Sequence, residues 1–521
     1  MGRRPTPGAH GSDNRDKTLA TAPTACKCGA MGRDTSSTTY TRSERTRYRL
    51  KLHENLETFA RYLPRADFSD AATIGIEMEI NLTDADGHPV RRALDALDAI
   101  GNDEFQTEIG AHNIELNLPA VPVAGRGLEH LEDVARQRLH DARIAVEEIG
   151  VELVPVGMLP TLTEDDLRSE GWRNPENRYK ALDNAILEAR GEDIHIHVQG
   201  DDEIDLTIDS IAPESACTSA QLHLQVPPSQ FAAAWNAAQA IAGPQVAVAA
   251  NAPFFLGQAG WVENRIPVFT QATDTRPPEF ANQNVRPRVW FGERWINTVF
   301  DLWEENVRYF PAILPESRQA AGQALLTEGA APRLHELVLH NGTIWRWNRP
   351  VYDPGSGGRP NLRIENRLLP TAPTVLDQIS DAAFFYGLVG RLVHDPRPLW
   401  SRMPFSDARA NFQACAKDGL TADVVWPGLG SVPVAELVGE VLIPLAREGL
   451  VIQEVDDDLI DRYLSVIEAR AHTGHNGAAW QRRMVEQLES VWMGREEALA
   501  EMTRRYRQNQ VTGKPVHTWD I

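Results

Sequence analysis

The sequence has little cysteine, no long apolar run and a deficit of positive charge, and each shortage excludes a class of protein. Four cysteines in 521 residues are too few for a disulfide scaffold. No apolar stretch approaches the roughly 18 residues of a membrane helix, and no apolar segment typical of a secretory signal follows Met1. With 52 basic and 73 acidic residues, the formal net charge of -21 argues against nucleic-acid binding. We therefore expect a cytoplasmic protein whose partners include neither nucleic acid nor a membrane.

Composition divides the chain into three parts. Residues 1–42 are rich in Thr, Ser, Gly, Pro and Arg and lack apolar periodicity, which predicts a disordered tail. Residues 43–508 are predicted to form one domain, since the hydrophobic content of 42% supports a large core. From about residue 375 this domain is expected to be mostly helical, with a long last helix over 477–507, and residues 509–521 to be a loose tail.

An acidic strand is the first candidate for a functional site. In Ile74–Asn81 apolar residues alternate with polar ones, so that Glu77 and Glu79 share one face of the predicted strand. Side chains two residues apart on one face are separated by only about 7 Å, so the two carboxylates repel each other unless a cation or solvent intervenes. Taken alone, the pattern favours an amphipathic strand with a solvated acidic face.

The same alternation recurs in three later stretches, and this recurrence favours a functional interpretation. The polar faces carry Glu115, with Glu108 shortly before that strand; His223; and Glu365, which lies between Arg363 and Arg367. If the four faces converge on one side of an antiparallel sheet, at least five carboxylates and one imidazole line a single cavity. Burying so much unpaired negative charge would be prohibitive.

Divalent cations would offset this charge. Hard cations such as Mg²⁺ or Mn²⁺ prefer oxygen ligands and accept an occasional imidazole. Arginines on the same face indicate an anionic ligand, and metal, arginine and anion together indicate a nucleotide polyphosphate. We therefore predict ATP and Mg²⁺ (or Mn²⁺) as cofactors, although the chain lacks the spacing of a P-loop.

A second group of metal-binding residue types lies on another predicted strand. Its two histidines, His195 and His197, share one face. The spacing suits a metal ion, but exposed or ion-paired histidines at a strand edge are more common. Both interpretations remain open at this stage.

Several short motifs, taken in their order along the chain, resemble the glutamate–cysteine ligase family, in its bacterial type 2 and carboxylate-amine ligase branch. The likeness covers roughly residues 70–480. It rests on Gly75-Ile-Glu-Met-Glu79, the acidic strand at Glu115, Gln221-Leu-His223, Asn251-Ala-Pro-Phe-Phe255 and Arg363-Ile-Glu-Asn-Arg367. The resemblance implies an α+β fold similar to glutamine synthetase, in which a curved antiparallel sheet forms a funnel surrounded by helices.

The resemblance also implies a reaction. In such ligases a substrate carboxylate attacks the γ-phosphate of ATP, and an amine then displaces phosphate from the acyl phosphate to give an amide. By analogy, Arg367 would be the catalytic residue that stabilises the transferred phosphoryl group. Six residues would hold Mg²⁺, namely Glu77, Glu79, Glu108, Glu115, His223 and Glu365, and three would bind substrate or phosphate, namely Arg178, Arg265 and Arg363.

The implied small-molecule partners are a carboxylate, glutamate by preference, and an amine, for which cysteine is the default. Two alternatives stay open: a phosphotransferase resembling guanidino kinases, and an inactive nucleotide-binding protein that retains the fold. The sequence is also compatible with a homo-oligomer.

Overall fold

The computed structural model of the chain describes residues 1–2, 34–317, 331–355 and 359–521, in which helices surround one large antiparallel sheet. The strands are β1 (Thr73–Thr83), β2 (Phe105–Thr107), β3 (Asn113–Asn117), β4 (Val121–Pro122), β5 (Glu152–Val154), β6 (Ile194–Gln199), β7 (Glu203–Ile208), β8 (Ser219–Gln225), β9 (Phe254–Phe255), β10 (Gln258–Ala259), β11 (Val289–Trp290), β12 (Trp345–Arg346), β13 (Asn348–Asp353), β14 (Asn361–Pro370), β15 (Asp423–Trp426) and β16 (Gly430–Pro433).

The α-helices take up most of the remaining chain and dominate its last third. They are α1 (Arg42–Tyr62), α2 (Ala93–Ile100), α3 (Gly127–Glu147), α4 (Glu164–Arg168), α5 (Asn177–Arg190), α6 (Ala212–Ser215), α7 (Pro228–Ala240), α8 (Ala242–Ala249), α9 (Arg265–Ala272), α10 (Pro278–Asn282), α11 (Val299–Tyr309), α12 (His335–Gly342), α13 (Val375–Leu392), α14 (Phe405–Asp418), α15 (Val434–Leu437), α16 (Ile443–Ile452), α17 (Asp457–Thr473), α18 (Gly477–Ser490) and α19 (Arg495–Thr512). Among the helices described, none has the length and apolar character that crossing a bilayer requires.

The large sheet has eight strands and places β1 at its centre. Its main path runs β13-β14-β8-β1-β3-β2, and β4 and β5 pair with other parts of β1. Every pairing within it is antiparallel. The predicted α+β class with a large antiparallel sheet is confirmed.

The alternation of apolar and polar residues in the sequence determines which face of β1 is buried. Ile74, Ile76, Met78 and Ile80 are at most 1% exposed and belong to the main hydrophobic core. Burying each such side chain contributes about 1.5–3 kcal/mol, which strongly favours this register over a shift by one residue. The polar face of β1 therefore stays on the opposite side, where the candidate site lies.

The predicted long helix over 477–507 is wrong, because the chain turns between two helices, α18 and α19. Trp492 adopts a left-handed backbone conformation with φ of 70°, which an α-helix cannot contain, and its side chain is 97% exposed. Gly494 then serves as the N-cap of α19. Leu488 and Met502, on either side of the break, are buried as expected.

The predicted loose tail over residues 509–521 also differs from the structure. Helix α19 continues to Thr512, and Trp519 beyond it packs edge-on against Trp480 and Tyr506, with ring centroids 5.3 Å apart in both pairs. The Trp480 indole donates to the Asp520 carbonyl (2.9 Å). Two aromatic contacts and a hydrogen bond hold the segment against the helical part of the molecule.

The disordered tail predicted over residues 1–42 falls mostly on residues 3–33, which lie outside the described residues. Residues 34–41 differ from that prediction. Thr35 is 7% exposed, and Asp34 accepts a hydrogen bond from the Arg178 backbone N–H (2.8 Å) at the start of α5. Tyr40 donates to the Glu316 carboxylate (3.2 Å). Side chains of this segment therefore form hydrogen bonds with distant parts of the chain, which the composition of the segment does not predict.

Candidate active site

Strand register brings the predicted acidic residues onto one face of the large sheet. Glu79 of β1 lies directly opposite Glu115 of β3, and His223 of β8 lies directly opposite Glu365 of β14. Directly opposed residues share a face and have Cβ atoms about 5 Å apart. Because Gly75 of β1 is the other cross-strand neighbour of His223, the same face also includes Glu77 and Glu79. The four widely separated stretches therefore meet.

A cavity of about 210 Å³ opens on this face. Its lining includes eight of the charged residues discussed below, namely Glu77, Glu79, Glu108, Glu115, Arg178, Glu214, Arg265 and Arg367. One side of the lining is apolar and aromatic, with Phe269, Trp345 and Trp347. The cavity thus joins a highly charged floor to an apolar wall, which is typical of a site for small molecules.

The first group of charges, called here the carboxylate triad, consists of Glu79, Glu108 and Glu115. One oxygen from each lies within 4.8 Å of the others. Around Glu79, the Ser219 backbone N–H donates at 2.5 Å and the Gln221 amide at 3.2 Å. Hydrogen bonds from neutral donors hold this carboxylate in place without neutralising it.

The pKa values of the triad are all raised. Burial, followed by the charge of Glu108, raises the pKa of Glu79 to about 8. Burial also raises the pKa of Glu108, and it raises that of Glu115 well above its usual range together with the charges of Glu77, Glu108 and Glu79. Without a cation, at least one proton must therefore be shared among these carboxylates at neutral pH.

The second group, called here the compensated set, consists of Glu77, His223 and Glu365. The His223 Nε2 atom lies 2.9 Å from Glu77, and the Arg363 guanidinium donates to His223 Nδ1 at 3.2 Å. A donor at Nδ1 assigns the imidazole proton to Nε2, which therefore donates to Glu77. Burial opposes ionisation of Glu77, but its interaction with His223, together with the nearby charge of Arg367, outweighs burial and lowers the pKa of this carboxylate.

Glu365 is the most strongly compensated carboxylate of the site. Arg349 donates to it at 2.7 Å and Arg367 at 2.6 Å. Burial alone would raise the pKa of Glu365, but the two guanidiniums hold it far below its usual range. Burial likewise opposes the charge of Arg367, yet Glu365 raises the pKa of this arginine. The charge of Arg367 therefore lies beside Glu365, and it also acts to lower the pKa values of Glu79 and Glu108.

Sequence reasoning missed two charged residues of the site. Glu214 lies on the short helix α6, and burial, with the charges of Glu108 and Glu79, raises its pKa to about 8. Its Oε2 atom is buried without a hydrogen-bond partner. Arg349 lies on β13 directly opposite Glu365. Pairing of β13 with β14 is the only signal that could have identified Arg349, and α6 offers no periodic pattern that marks Glu214.

The three arginines predicted to bind substrate or phosphate lie in different places. Arg178 lines the cavity, stacks on the Tyr179 ring (4.4 Å to the centroid) and donates to the Thr107 carbonyl. Arg265 also lines the cavity and pairs with Glu263 at 3.0 Å, while its Nε atom is buried without a hydrogen-bond partner. Arg363 is not part of the lining and instead contacts His223, as described above.

The donor set fits hard divalent cations. Three carboxylates whose pKa values are raised chiefly by burial offer oxygen ligands at close range, and a cation bound among them would favour their ionised forms. The compensated set adds two carboxylates and an imidazole on the same face. Guanidiniums beside both sets favour an anion bound between them.

Comparison with known proteins agrees with this geometry. The sequence matches the model of glutamate-cysteine ligase family 2 over residues 73–505. The chain belongs to this family. It is therefore a carboxylate-amine ligase, one of the ATP-dependent enzymes that form C–N bonds. The family resemblance drawn from the sequence is confirmed.

Two solved structures are similar to this chain at low sequence identity, and the first of them has the same fold. A glutamate–cysteine ligase from Francisella tularensis, solved in complex with AMP, matches with a TM-score of 0.53 and 11% identity over 87% of this chain and 91% of that chain. A bifunctional glutathione synthetase from Pasteurella multocida matches with a TM-score of 0.45 and 13% identity, over 90% of this chain and 55% of that chain. No curated protein matches the sequence.

Proposed function

We propose that this member of glutamate-cysteine ligase family 2 uses ATP to activate the γ-carboxylate of glutamate and joins it to an amine. The substrate carboxylate attacks the γ-phosphorus of ATP, and ADP leaves. The amine nitrogen then attacks the acyl carbon, loses a proton and displaces phosphate. The products are an amide, ADP and inorganic phosphate, and cysteine is the default amine.

The observation that carries this proposal is that both charge sets lie on one face of the sheet. The triad and Glu77 line the cavity, and His223 and Glu365 adjoin it through their hydrogen bonds with Glu77 and Arg367. In the described part of the chain, backbone, hydroxyl and amide groups donate hydrogen bonds to the triad, whereas two guanidiniums donate to Glu365. A triad of this kind is stable in the ionised state only with divalent cations. The cations and guanidiniums together are what a triphosphate requires in order to bind and react.

The two sets suggest two cation sites. Glu79, Glu108 and Glu115 would form the first, and Glu77, His223 and Glu365 the second. Bound Mg²⁺ would neutralise the phosphates and polarise the phosphorus under attack. For His223 to be a ligand, its hydrogen bond to Glu77 must break, because that bond now occupies Nε2.

The arginines of the cavity would bind the negatively charged groups of the substrates. Arg367 donates to Glu365 and Gln221, lines the cavity and keeps a buried Nε atom without a hydrogen-bond partner, so it is available to an oxygen of the transferred phosphoryl group. Arg265 has a similarly unpartnered Nε atom. We assign the α-carboxylate of glutamate to Arg265 or to Arg178, which both line the cavity.

The test is a turnover assay with the full-length chain, Mg²⁺, ATP and a panel of amino acids and amines. We expect phosphate release to require both an acid and an amine, and mass spectrometry to detect the amide with glutamate as the acid. A stable phosphorylated product without phosphate release would instead establish a phosphotransferase. No turnover with any pair, while ATP still binds, would establish a binding protein. The Glu79→Gln variant is the inactive control, and Glu54→Gln, on the exposed face of α1, is the matched control that should stay active.

A further inference from the structure

The hairpin formed by β6 and β7 carries a second cluster of metal-binding residue types. The two strands pair with His197 opposite Asp205 and Gln199 opposite Glu203. Their buried face is entirely aliphatic, with Ile194, Ile196, Val198, Ile204, Leu206 and Ile208 each at most 3% exposed. Alternation therefore directs His195, His197 and Asp205 to the opposite, solvent-facing side.

The donor atoms on this face are already close together. His195 Nε2 lies 3.2 Å from Asp205, and His197 Nδ1 lies 3.5 Å from the same carboxylate. One donor atom from each of the three residues lies within 4.8 Å of the others. Ligands about 2.0–2.2 Å from a tetrahedral Zn²⁺ are roughly 3.4 Å apart, so small rotations of these side chains would complete the geometry.

A fourth ligand lies at the end of the hairpin. Glu203 is 3.8 Å from His197 Nε2 and is well exposed, so that it can turn toward an ion held by the other three residues. Two neutral imidazoles and two carboxylates form a donor set whose charge matches a divalent cation.

The chemistry of this cluster differs from that of the active site. Two nitrogen ligands favour Zn²⁺ and other transition ions of borderline softness over Mg²⁺, which prefers oxygen ligands only. The carboxylate triad lacks nitrogen ligands. The compensated set has one imidazole, whose two nitrogens already form hydrogen bonds with Glu77 and Arg363, whereas the hairpin cluster has two imidazoles. Zn²⁺ should therefore prefer the hairpin, and this preference is tested without any assumption about the ligase reaction.

The hairpin is also connected to an element of the cavity. The His197 backbone N–H donates to the Gln271 side chain (2.9 Å), whose amide donates back to the His197 carbonyl (3.2 Å). Gln271 lies on α9, the helix that carries Arg265 and Phe269 into the cavity lining. An ion that restrains the hairpin would therefore also restrain α9 through the hydrogen bonds between His197 and Gln271.

We propose that His195, His197 and Asp205, assisted by Glu203, form a separate binding site for Zn²⁺ or a similar transition-metal ion, which holds the β6–β7 hairpin in place.

The experiment is a Zn²⁺ titration of the full-length, tag-free chain by calorimetry at pH 7.5 with Mg²⁺ in excess, so that oxygen-only sites are already filled. We expect one Zn²⁺ per chain, and at least tenfold weaker binding in the His195→Ala/His197→Ala variant. His53→Ala, which removes an exposed histidine of α1, should bind as the unchanged chain does.

A second readout identifies the ligands. Co²⁺ in a tetrahedral site with nitrogen ligands should produce visible absorption bands that disappear in the double variant but persist in Glu79→Gln. Unchanged Zn²⁺ affinity in the double variant would overturn the proposal. So would loss of the Zn²⁺ site in Glu79→Gln, since the ion would then lie in the active-site cavity. The double variant should fold normally, because both side chains are solvent-facing, and circular dichroism checks this.

Discussion

The carboxylate triad and the compensated set lie on the same sheet face, yet they carry their negative charge in opposite ways. In the compensated set, His223, Arg349 and Arg367 lower the pKa values of Glu77 and Glu365. In the triad, burial raises the pKa of every member, and the charges of neighbouring carboxylates add to the rise for Glu79 and Glu115. The negative charge of the compensated set is balanced by side chains of the protein, whereas the charge of the triad has to be balanced by a bound proton or cation.

This difference separates the parts of the site that the fold provides from those that a ligand must supply. A buried carboxylate that is already paired stabilises its neighbours, and removing it leaves charges unmatched. A buried carboxylate that is unpaired costs stability and is retained for binding. Substitutions in the two groups should therefore have opposite effects on stability, although both should reduce ligase activity.

The largest effect on activity is expected from Glu79→Gln. Loss of a triad ligand should reduce turnover by about 10³-fold, since a bound metal ion contributes several kcal/mol to transition-state stabilisation. The unfolding free energy at pH 8 should stay the same or increase, because the substitution removes a repulsive charge. Steady-state phosphate release and denaturant titration measure the two quantities. A clear loss of stability in this variant would contradict the comparison.

Glu365→Gln should produce the largest loss of stability. The substitution leaves Arg349 and Arg367 without their carboxylate in a buried setting, and breaking such a pair costs about 3–5 kcal/mol. Denaturant titration measures the unfolding free energy of this variant, which is compared with that of Glu79→Gln. Adding Arg349→Met should recover part of the loss, because one unmatched charge is removed, and the absence of any recovery would argue against charge imbalance as the cause.

Arg367→Lys should separate the contribution of Arg367 to catalysis from its contribution to nucleotide binding. Lysine keeps the charge but cannot contact Glu365 and Gln221 while directing a further N–H into the cavity. We expect kcat to fall by about 10²-fold, the usual cost of losing one oriented donor, with a much smaller change in the Kd of the nucleotide. A change in Kd equal to that in kcat would instead assign Arg367 to ground-state binding.

A smaller effect should appear in the pH dependence of stability. The pKa of Glu79 is about 8 in the folded chain and near its ordinary acidic value in the unfolded chain, so between these values the folded state binds more protons. Stability without metal should therefore fall as pH rises from about 6.5 to 8.5. The buried His112 and His340, whose pKa values are about 4 in the folded chain, oppose this decline up to about pH 7.5, because unfolded imidazoles with a pKa near 6.5 still lose protons there. The decline due to Glu79 is therefore clearest above about pH 7.5.

Thermal unfolding at several pH values measures this slope. Glu79→Gln should reduce the decline in Tm by a few degrees, and Mg²⁺ should raise Tm of the unchanged chain most at the highest pH, where the triad is ionised. An equal Mg²⁺ effect at pH 6.5 and 8.5 would show that the ion does not replace the protons of the triad.

Strand alternation explains how much of the site the sequence could predict. Because a strand repeats every two residues, Glu77, Glu79, Glu115, His223 and Glu365 could be assigned to polar faces before their neighbours were known. Convergence of these faces was a hypothesis that needed the strand pairing, whereas the family resemblance rested on the order of the motifs along the chain. Glu214 and Arg349 were missed because one lies on a four-residue helix and the other becomes relevant only through strand pairing.

The errors at the chain ends have a different physical origin. The turn at Trp492 and the packing of Trp519 depend on contacts between residues far apart in the sequence. Helical periodicity is a local pattern and does not predict such contacts. Asp34 and Thr35 are short polar residues in a segment of tail-like composition, and their hydrogen bonds to α5 are tertiary contacts. Local propensity is overridden at these positions.

Titration with Mn²⁺ in the presence of a non-hydrolysable ATP analogue, followed by electron paramagnetic resonance, tests the central claim most directly. The account predicts that each chain removes two Mn²⁺ ions from the free signal, that Glu79→Gln removes one fewer, and that Glu54→Gln behaves as the unchanged chain. Equal Mn²⁺ binding in the unchanged chain and in Glu79→Gln would contradict the claim that the carboxylate triad is a cation site.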